Sequence, residues 1–317
     1  MTNRKDPASG PAIGLEIGFV GLGRMGGAMA ANLAAAGFPV VGFLRRPEQV
    51  EALAARGIAA VTAMEPLLAC HIVVTMLPDD AAVREVVFGD GHGPGMAAGL
   101  ARGAIHLSMS TISPHCADDL AAEHARRGQA YVAAPVLGNP DAARERQLFI
   151  LAAGADPDIA RCQPLLDAIG QRTFAIGADP AAANFVKLAA NAVSGATAEI
   201  LGEIMALARK SGVAPAQLLA ILTETMFGGR AFSLYGEKIA AERYAAGGFV
   251  MPLGLKDIRL ALAEADAAAV PMPTIAVVRD RLEAGIAHGY ADLDWSALGL
   301  VAADAAGLPS RRVDAAR

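Results

Sequence analysis

From Leu15 onward the chain alternates short apolar runs with segments of helical spacing. Leu15–Val20, Val40–Leu44, His71–Met76, Ala104–Met109, Ala130–Val136 and Leu148–Ala153 have the length and residue types of buried strands. Between them Met25–Ala36, Pro47–Arg56, Ala81–Phe88 and Pro114–Arg127 repeat apolar residues at three- and four-residue intervals, as helices do. Such alternation predicts βαβ units and a largely parallel sheet. After Gly177 the pattern changes. Asp179 offers an N-cap and Pro180 suits the first helical position. A helical pattern then runs unbroken to Lys210, with Gly212 beyond it as a stop signal, which at 1.5 Å per residue is about 45 Å of helix. Only helices are expected after that: Pro215–Thr223, Ala231–Arg243, Leu253–Ala268, Thr274–His288 and Trp295–Ala306.

Four segments follow: a flexible polar leader at 1–14, an α/β domain at 15–179, an interdomain helix at 180–210 and an all-α domain at 211–317. The 317 residues carry a net charge of -5 and contain no basic tract, so a nucleic-acid partner is not expected. Mean hydropathy is high, +0.39. Alanine supplies much of it, and Ala is a helix former in water as well as in lipid. The apolar stretch Ile13–Phe43 contains Glu16, Arg24 and glycines that include Gly18, Gly21, Gly23, Gly26 and Gly27, which suits neither a signal peptide nor a membrane span. The expectation is a cytoplasmic enzyme without a membrane partner. Cys70, Cys116 and Cys162 are widely separated, and the six histidines form no pair at ligand spacing, so no metal is expected.

The chemistry starts at Gly21-Leu22-Gly23-Arg24-Met25-Gly26, which follows a predicted strand and opens a predicted helix. In that context a G-x-G-x-x-G turn is a dinucleotide fingerprint. The first glycine permits the tight turn, the second lets backbone approach a pyrophosphate, and the third lets helix pack on strand. The α/β domain is therefore expected to be a Rossmann domain that holds phosphates at a helix N-terminus. The second strand ends Phe43-Leu44-Arg45-Arg46, with no acidic residue to accept a ribose 2′-hydroxyl. Arg45 and Arg46 can instead pair with a 2′-phosphate, which favours NADP(H), with NAD(H) as the alternative. On the long helix Asn184, Lys187, Asn191 and Ser194 share one face among apolar neighbours. Burial disfavours the charged form of an ammonium and suits a lysine to proton transfer near neutral pH. A lysine that snorkels to solvent at an interdomain seam is the other reading.

These motifs, taken in order, resemble the β-hydroxyacid dehydrogenase family, which includes 3-hydroxyisobutyrate dehydrogenase, tartronate semialdehyde reductase and glyoxylate/succinic semialdehyde reductases. The resemblance runs from Ile17 to about Gly307 and rests on Gly18–Gly26, Met76-Leu77-Pro78, Ser110-Thr111-Ile112-Ser113-Pro114, Ala134-Pro135-Val136, Lys187-Leu188-Ala189-Ala190-Asn191 and Leu255-Lys256-Asp257. It implies that Lys187 is the catalytic acid/base and that Asn191 orients the substrate. It also implies that Met76, Leu77, Pro78, Ser110 and Thr111 line the nicotinamide side, Ser110 within reach of the substrate, and that Lys256 reaches the cofactor. A homodimer or homotetramer through the helical domains is implied as well, with hydride transfer between nicotinamide and a small carbonyl or hydroxy-acid substrate.

The chain departs from the family pattern at the substrate loop, usually Asp-Ala-Pro-Val-Ser-Gly-Gly. It reads Ala133-Ala134-Pro135-Val136-Leu137-Gly138-Asn139. Leu137 lacks the hydroxyl that would bind a carboxylate, Gly138 is kept, and Asn139 stands at the second glycine. A bulkier or less acidic carbonyl compound thereby enters the range, and Arg230 is a candidate to hold a substrate carboxylate instead. Ala190 replaces the histidine of 6-phosphogluconate dehydrogenases, which argues against oxidative decarboxylation. Two alternatives remain: an imine reductase, against which the retained Lys187 speaks, and a cofactor-binding scaffold without turnover.

Overall fold

The computed structural model describes residues 15–45, 48, 50–89, 94–245 and 248–309. The leader expected at 1–14 and the candidate Arg46 lie outside the described residues. The chain divides into two compact units, Met1–Lys187 and Leu188–Arg317.

The first unit contains β1 (Ile17–Val20), α1 (Gly26–Ala35), β2 (Val40–Phe43), α2 (Val50–Ala54), β3 (Ile58–Val61), α3 (Glu65–Leu68), β4 (Ile72–Thr75), α4 (Asp80–Phe88), α5 (Met96–Gly99), β5 (Ile105–Ser108) and α6 (Pro114–Arg126). Then come β6 (Ala130–Ala133), β7 (Val136–Leu137), α7 (Pro140–Arg144), β8 (Leu148–Ala153), α8 (Asp156–Ile169) and β9 (Gly170–Gly177). The strands form one sheet in the order β3-β2-β1-β4-β5-β6-β8-β7, with β9 beside β8. From β3 to β6 every pairing is parallel, the strand order of a Rossmann domain. β8 runs antiparallel to β6 and β7.

Every residue of β1, β4 and β5 is buried, as central parallel strands covered on both faces require. Ile17, Phe19, Ile72, Val74, Ile105 and Leu107 join the core on one face, with Met29 and Leu33 of α1. Val20 and Val73 join the other, with Val83 of α4 and Leu120 of α6.

The alternation predicted in the sequence is present, and the differences have local causes. The run read as one strand, Ala130–Val136, breaks after Ala133. Pro135 has no N–H for a ladder, and the chain turns there into β7. β3, α8 and β9 were not expected. β3 reads Ile-Ala-Ala-Val, too alanine-rich to signal a strand. α8 contains prolines at its start and at Pro164, and β9 carries Gln171 and Arg172 among its apolar residues.

α9 spans Pro180–Lys210 with the predicted bounds, and Asp179 Oδ1 accepts from Ala181 N (3.0 Å) at its start. The second unit continues with α10 (Pro215–Thr225), α11 (Arg230–Ala240), α12 (Met251–Ala267), α13 (Pro273–Ala287) and α14 (Leu298–Ala305), the last preceded by a 3-10 turn at Trp295–Ala297. Trp295 sits in its core, edge-on to Phe249 at 5.0 Å and to Tyr235 at 5.9 Å. Among the described residues no helix is long and apolar enough to cross a membrane.

Candidate functional site

In the first unit the site begins with three glycines that do three different things. Gly21 has φ +95°, and a Cβ on it would stand 2.2 Å from Met76 O. A Cβ on Gly26 would stand 2.0 Å from Gly21 O and 2.9 Å from Phe19 Cε1. Backbone packing alone therefore forbids side chains at both positions. At Gly23 a Cβ would meet nothing within 4 Å. The protein's own packing gives no reason for that glycine, whereas a ligand approaching the turn closely does.

The turn leads into α1, whose Met25 cap makes no side-chain hydrogen bond and whose first turn holds no acidic residue. The N–H groups of a helix's first turn lack intrahelical acceptors, so this end is open to an anion. Beside it lies a cleft of about 240 Å³ lined by Gly21, Leu22, Gly23, Phe43, Arg45 and Leu77, among others. Arg45 is exposed at the end of β2, 4.0 Å from Glu85 of α4. These residues fit a dinucleotide: open backbone for phosphates, apolar walls for a planar base and a cation at the ribose end. Arg24, also exposed, and Met25 complete the turn.

The loops after β4 and β5 hold the other predicted residues of this unit. Met76 and Leu77 are half-buried, Pro78 is exposed, and Thr111 is half-buried. Ser110 is fully buried, and its Oγ accepts from Leu77 N at 2.8 Å. Below them runs a buried polar chain that sequence reasoning missed. The Gln129 amide donates to Ala97 O and Leu100 O, so its Oε1 is left to accept from His124 Nδ1–H (2.8 Å). His124 Nε2 then accepts from His106 Nδ1–H (2.9 Å), and His106 Nε2 accepts from the Thr75 hydroxyl (2.9 Å). Burial pushes both histidines below the usual imidazole pKa, and His124 adds to this at His106. Eighteen or more residues separate the partners of most of these contacts, so no local motif could announce the chain.

At the substrate loop Gly138 has φ +145°, and a Cβ there would approach Leu148 Cδ2 to 2.7 Å. Leu137 is half-buried. Asn139 is the N-cap of α7, its Oδ1 accepting from Ala142 N at 2.9 Å. Its side chain thus has a structural task beside any contact with substrate.

On α9 the predicted polar face is the buried one. Asn184, Lys187 and Asn191 are 1%, 7% and 8% exposed, while Phe185, Val193, Ile200 and Leu207 on the other side are 52–68% exposed. In the second unit Asn191 Nδ2 donates to Asp257 Oδ2 (2.5 Å). Asp257 Oδ1 lies 2.8 Å from Lys256 Nζ, an ion pair. Asp257, 1% exposed, thus gathers two of the predicted residues. It stood in the Leu255-Lys256-Asp257 motif without a role, and its link to Asn191 crosses 66 positions of sequence. Arg230 is the exposed first residue of α11. The three cysteines are buried thiols, and burial raises Cys70 to about 11 and both Cys116 and Cys162 to about 12. Among the described residues no group of three His, Cys, Asp or Glu side chains could hold a metal.

Residues 16–177 match the family model of the NAD binding domain of 6-phosphogluconate dehydrogenase. Residues 181–302 match the model described as NAD-binding of NADP-dependent 3-hydroxyisobutyrate dehydrogenase. The chain is 39% identical over 287 residues to the uncharacterized oxidoreductase YfjR of Bacillus subtilis, covering 90% of this chain and 98% of that protein. It is 32% identical over 287 residues to 2-(hydroxymethyl)glutarate dehydrogenase of Eubacterium barkeri, covering 90% and 93%. The solved structure of Mycobacterium tuberculosis 3-hydroxyisobutyrate dehydrogenase with L-serine superposes with a TM-score of 0.81 at 27% identity, covering 90% of this chain and 98% of that one. With both halves matched and the relatives covered almost end to end, the chain belongs to the β-hydroxyacid dehydrogenase family of NAD(P)-dependent oxidoreductases.

Proposed function

We propose that this protein is an NADPH-preferring reductase or dehydrogenase for a carbonyl/hydroxyl pair of the β-hydroxyacid or semialdehyde type, with Lys187 as its acid/base. The observation that carries the reading is a lysine only 7% exposed on the polar face of α9, one turn before Asn191. When bound, the nicotinamide supplies or accepts the hydride. Lys187 gives a proton to, or takes one from, the substrate oxygen. Asn191, held by Asp257, orients that oxygen, and such positioning lowers the entropic part of the barrier. Lys256, paired with the same carboxylate, is the residue to which the family resemblance gives a cofactor contact.

Arg45 supports the preference for NADPH, since it stands at the cleft where a carboxylate would otherwise select the 2′-hydroxyl. Leu137, Gly138 and Asn139 shape the substrate side, and the apolar Leu137 turns specificity toward a bulkier or less acidic carbonyl compound. Arg230 is the candidate carboxylate anchor. The exposed apolar side of α9 supports self-association through the helical unit.

The test is NADPH and NADH oxidation against semialdehydes, 2-oxo acids, bulky aldehydes and cyclic imines, with Lys187→Ala alongside. A carbonyl substrate should turn over faster with NADPH, and the variant should lose 100-fold or more, roughly the share of general acid–base catalysis. A variant that keeps most of its turnover would overturn the role of Lys187. A protein that binds NADPH and reduces nothing would favour a scaffold.

A further inference from the structure

The loops after β4 and β5 are joined by contacts that helix capping does not require. Asp79 already caps α4, its Oδ1 accepting from Ala82 N at 2.8 Å. Ser113 already caps α6, its Oγ accepting from Cys116 N at 3.0 Å. The next residue, Asp80, turns its carboxylate across to the other loop. Its Oδ1 accepts from Ser113 N (2.9 Å), and its Oδ2 accepts from the Ser113 hydroxyl (2.5 Å). The Ser113 oxygen therefore caps one helix while its proton ties that helix to its neighbour. Leu77 N, donating to Ser110 Oγ (2.8 Å), adds a second tie between the same two loops. One turn further on, Arg84 of α4 pairs with Asp119 of α6 and continues the seam.

The position of this clamp gives it meaning. β4 and β5 are adjacent parallel strands, and open α/β sheets bind ligands at the carboxyl ends of their strands. The first loop carries Leu77 and Pro78, the second Ser110 and Thr111. A carboxylate that accepts two hydrogen bonds at half-buried groups holds more firmly than a neutral contact would. Asp80 also sits in the first turn of α4, where a carboxylate complements the helix dipole.

We propose that Asp80 is a positioning residue for the nicotinamide end of the cofactor. Through Ser113 it locks the loop after β4 to the loop after β5 and so sets the spacing of Leu77 and Pro78 against Ser110 and Thr111. The proposal rests on the reading of this unit as a nicotinamide dinucleotide site.

Its test measures the affinities of NADPH and of 2′,5′-ADP, which has the adenosine end and no nicotinamide. Both are titrated calorimetrically into wild type, Asp80→Asn, Ser113→Ala and the double variant. Each single variant should bind NADPH about tenfold more weakly, the loss expected for one charge-assisted hydrogen bond. The double variant should be no weaker than the worse single one, because both act through one clamp. Affinity for 2′,5′-ADP should stay within about twofold of wild type. Equal weakening of NADPH and 2′,5′-ADP would reduce Asp80 to a structural residue and overturn the proposal, as would unchanged NADPH affinity. Wild-type protein that bound neither NADPH nor NADH would overturn the cofactor reading and this proposal with it, whereas wild-type binding that Asp80→Asn leaves intact overturns this proposal alone.

Discussion

The two units build their sites from opposite materials. In the first the essential parts are missing side chains: Gly21 and Gly26 are bare because backbone crowds them, and Gly23 is bare with empty space before it. In the second they are polar side chains gathered on a buried carboxylate, the buried Asn191 and the half-buried Lys256 around an Asp257 that is 1% exposed. A site made of backbone is fixed by a few consecutive residues. A site made of buried polar side chains holds only while every partner is present, because an unpaired buried charge is costly. Under the proposed function the contrast is between binding and chemistry: the glycine turn would cradle the cofactor, while Lys187 would move the proton and Asn191, held by Asp257, would orient the substrate oxygen.

The sharpest way to break the comparison is inside the glycine turn itself. Gly26→Ala should destabilise the protein by about 3 kcal/mol, since neither Gly21 O nor the buried Phe19 can yield easily. Denaturant titration measures it. Gly23→Val should leave that stability within about 0.5 kcal/mol, as for an open surface position, yet weaken NADPH about 100-fold. If Gly23→Val destabilised as much as Gly26→Ala, the turn would be a packing feature and no cradle.

In the second unit Asp257→Ala should cost about 2 kcal/mol of stability, because Asn191 and Lys256 both lose their buried partner. NADPH affinity should change far less than turnover. Parallel loss of both would place Asp257 in the cradle and blur the division.

The smaller effects concern charge. His106 and His124 are held neutral by burial, and Tyr131 packs on both rings. Their folded pKa values lie below the unfolded value, so the unfolded chain binds protons that the folded chain refuses. The contribution of this pair should therefore be constant above about pH 6.5 and turn destabilising as pH drops below it. A His106→Gln variant should show a flatter fall in melting temperature between about pH 6.5 and 5 than wild type. A fall as steep as wild type's would exclude the pair as its source. Arg45→Ala should weaken NADPH about tenfold and leave NADH unchanged, as loss of one ion pair to a 2′-phosphate predicts. Equal weakening of both would remove Arg45 as the discriminator.

The same contrast explains what could be read in advance. The glycine turn was legible because its whole logic spans six residues between a strand and a helix, and the bounds of α9 were legible from Asp179-Pro180 and Gly212. The polar face of α9 followed from helical spacing alone. Asp257 and the chain from Thr75 to Gln129 were not legible, since each joins positions that only the folded sheet or bundle brings together. β9 was hidden because Gln171 and Arg172 obscured a strand pattern, and α8 because Pro157 and Pro164 lie within it.

The proposed function divides the work between a glycine turn that binds and a Lys187 that reacts. The most direct measurement is NADPH titration calorimetry on Lys187→Ala, paired with turnover of the best carbonyl substrate by the same preparation. The account predicts an NADPH affinity within about threefold of wild type and turnover reduced at least about 100-fold. Affinity lost together with turnover, or turnover retained, would contradict it.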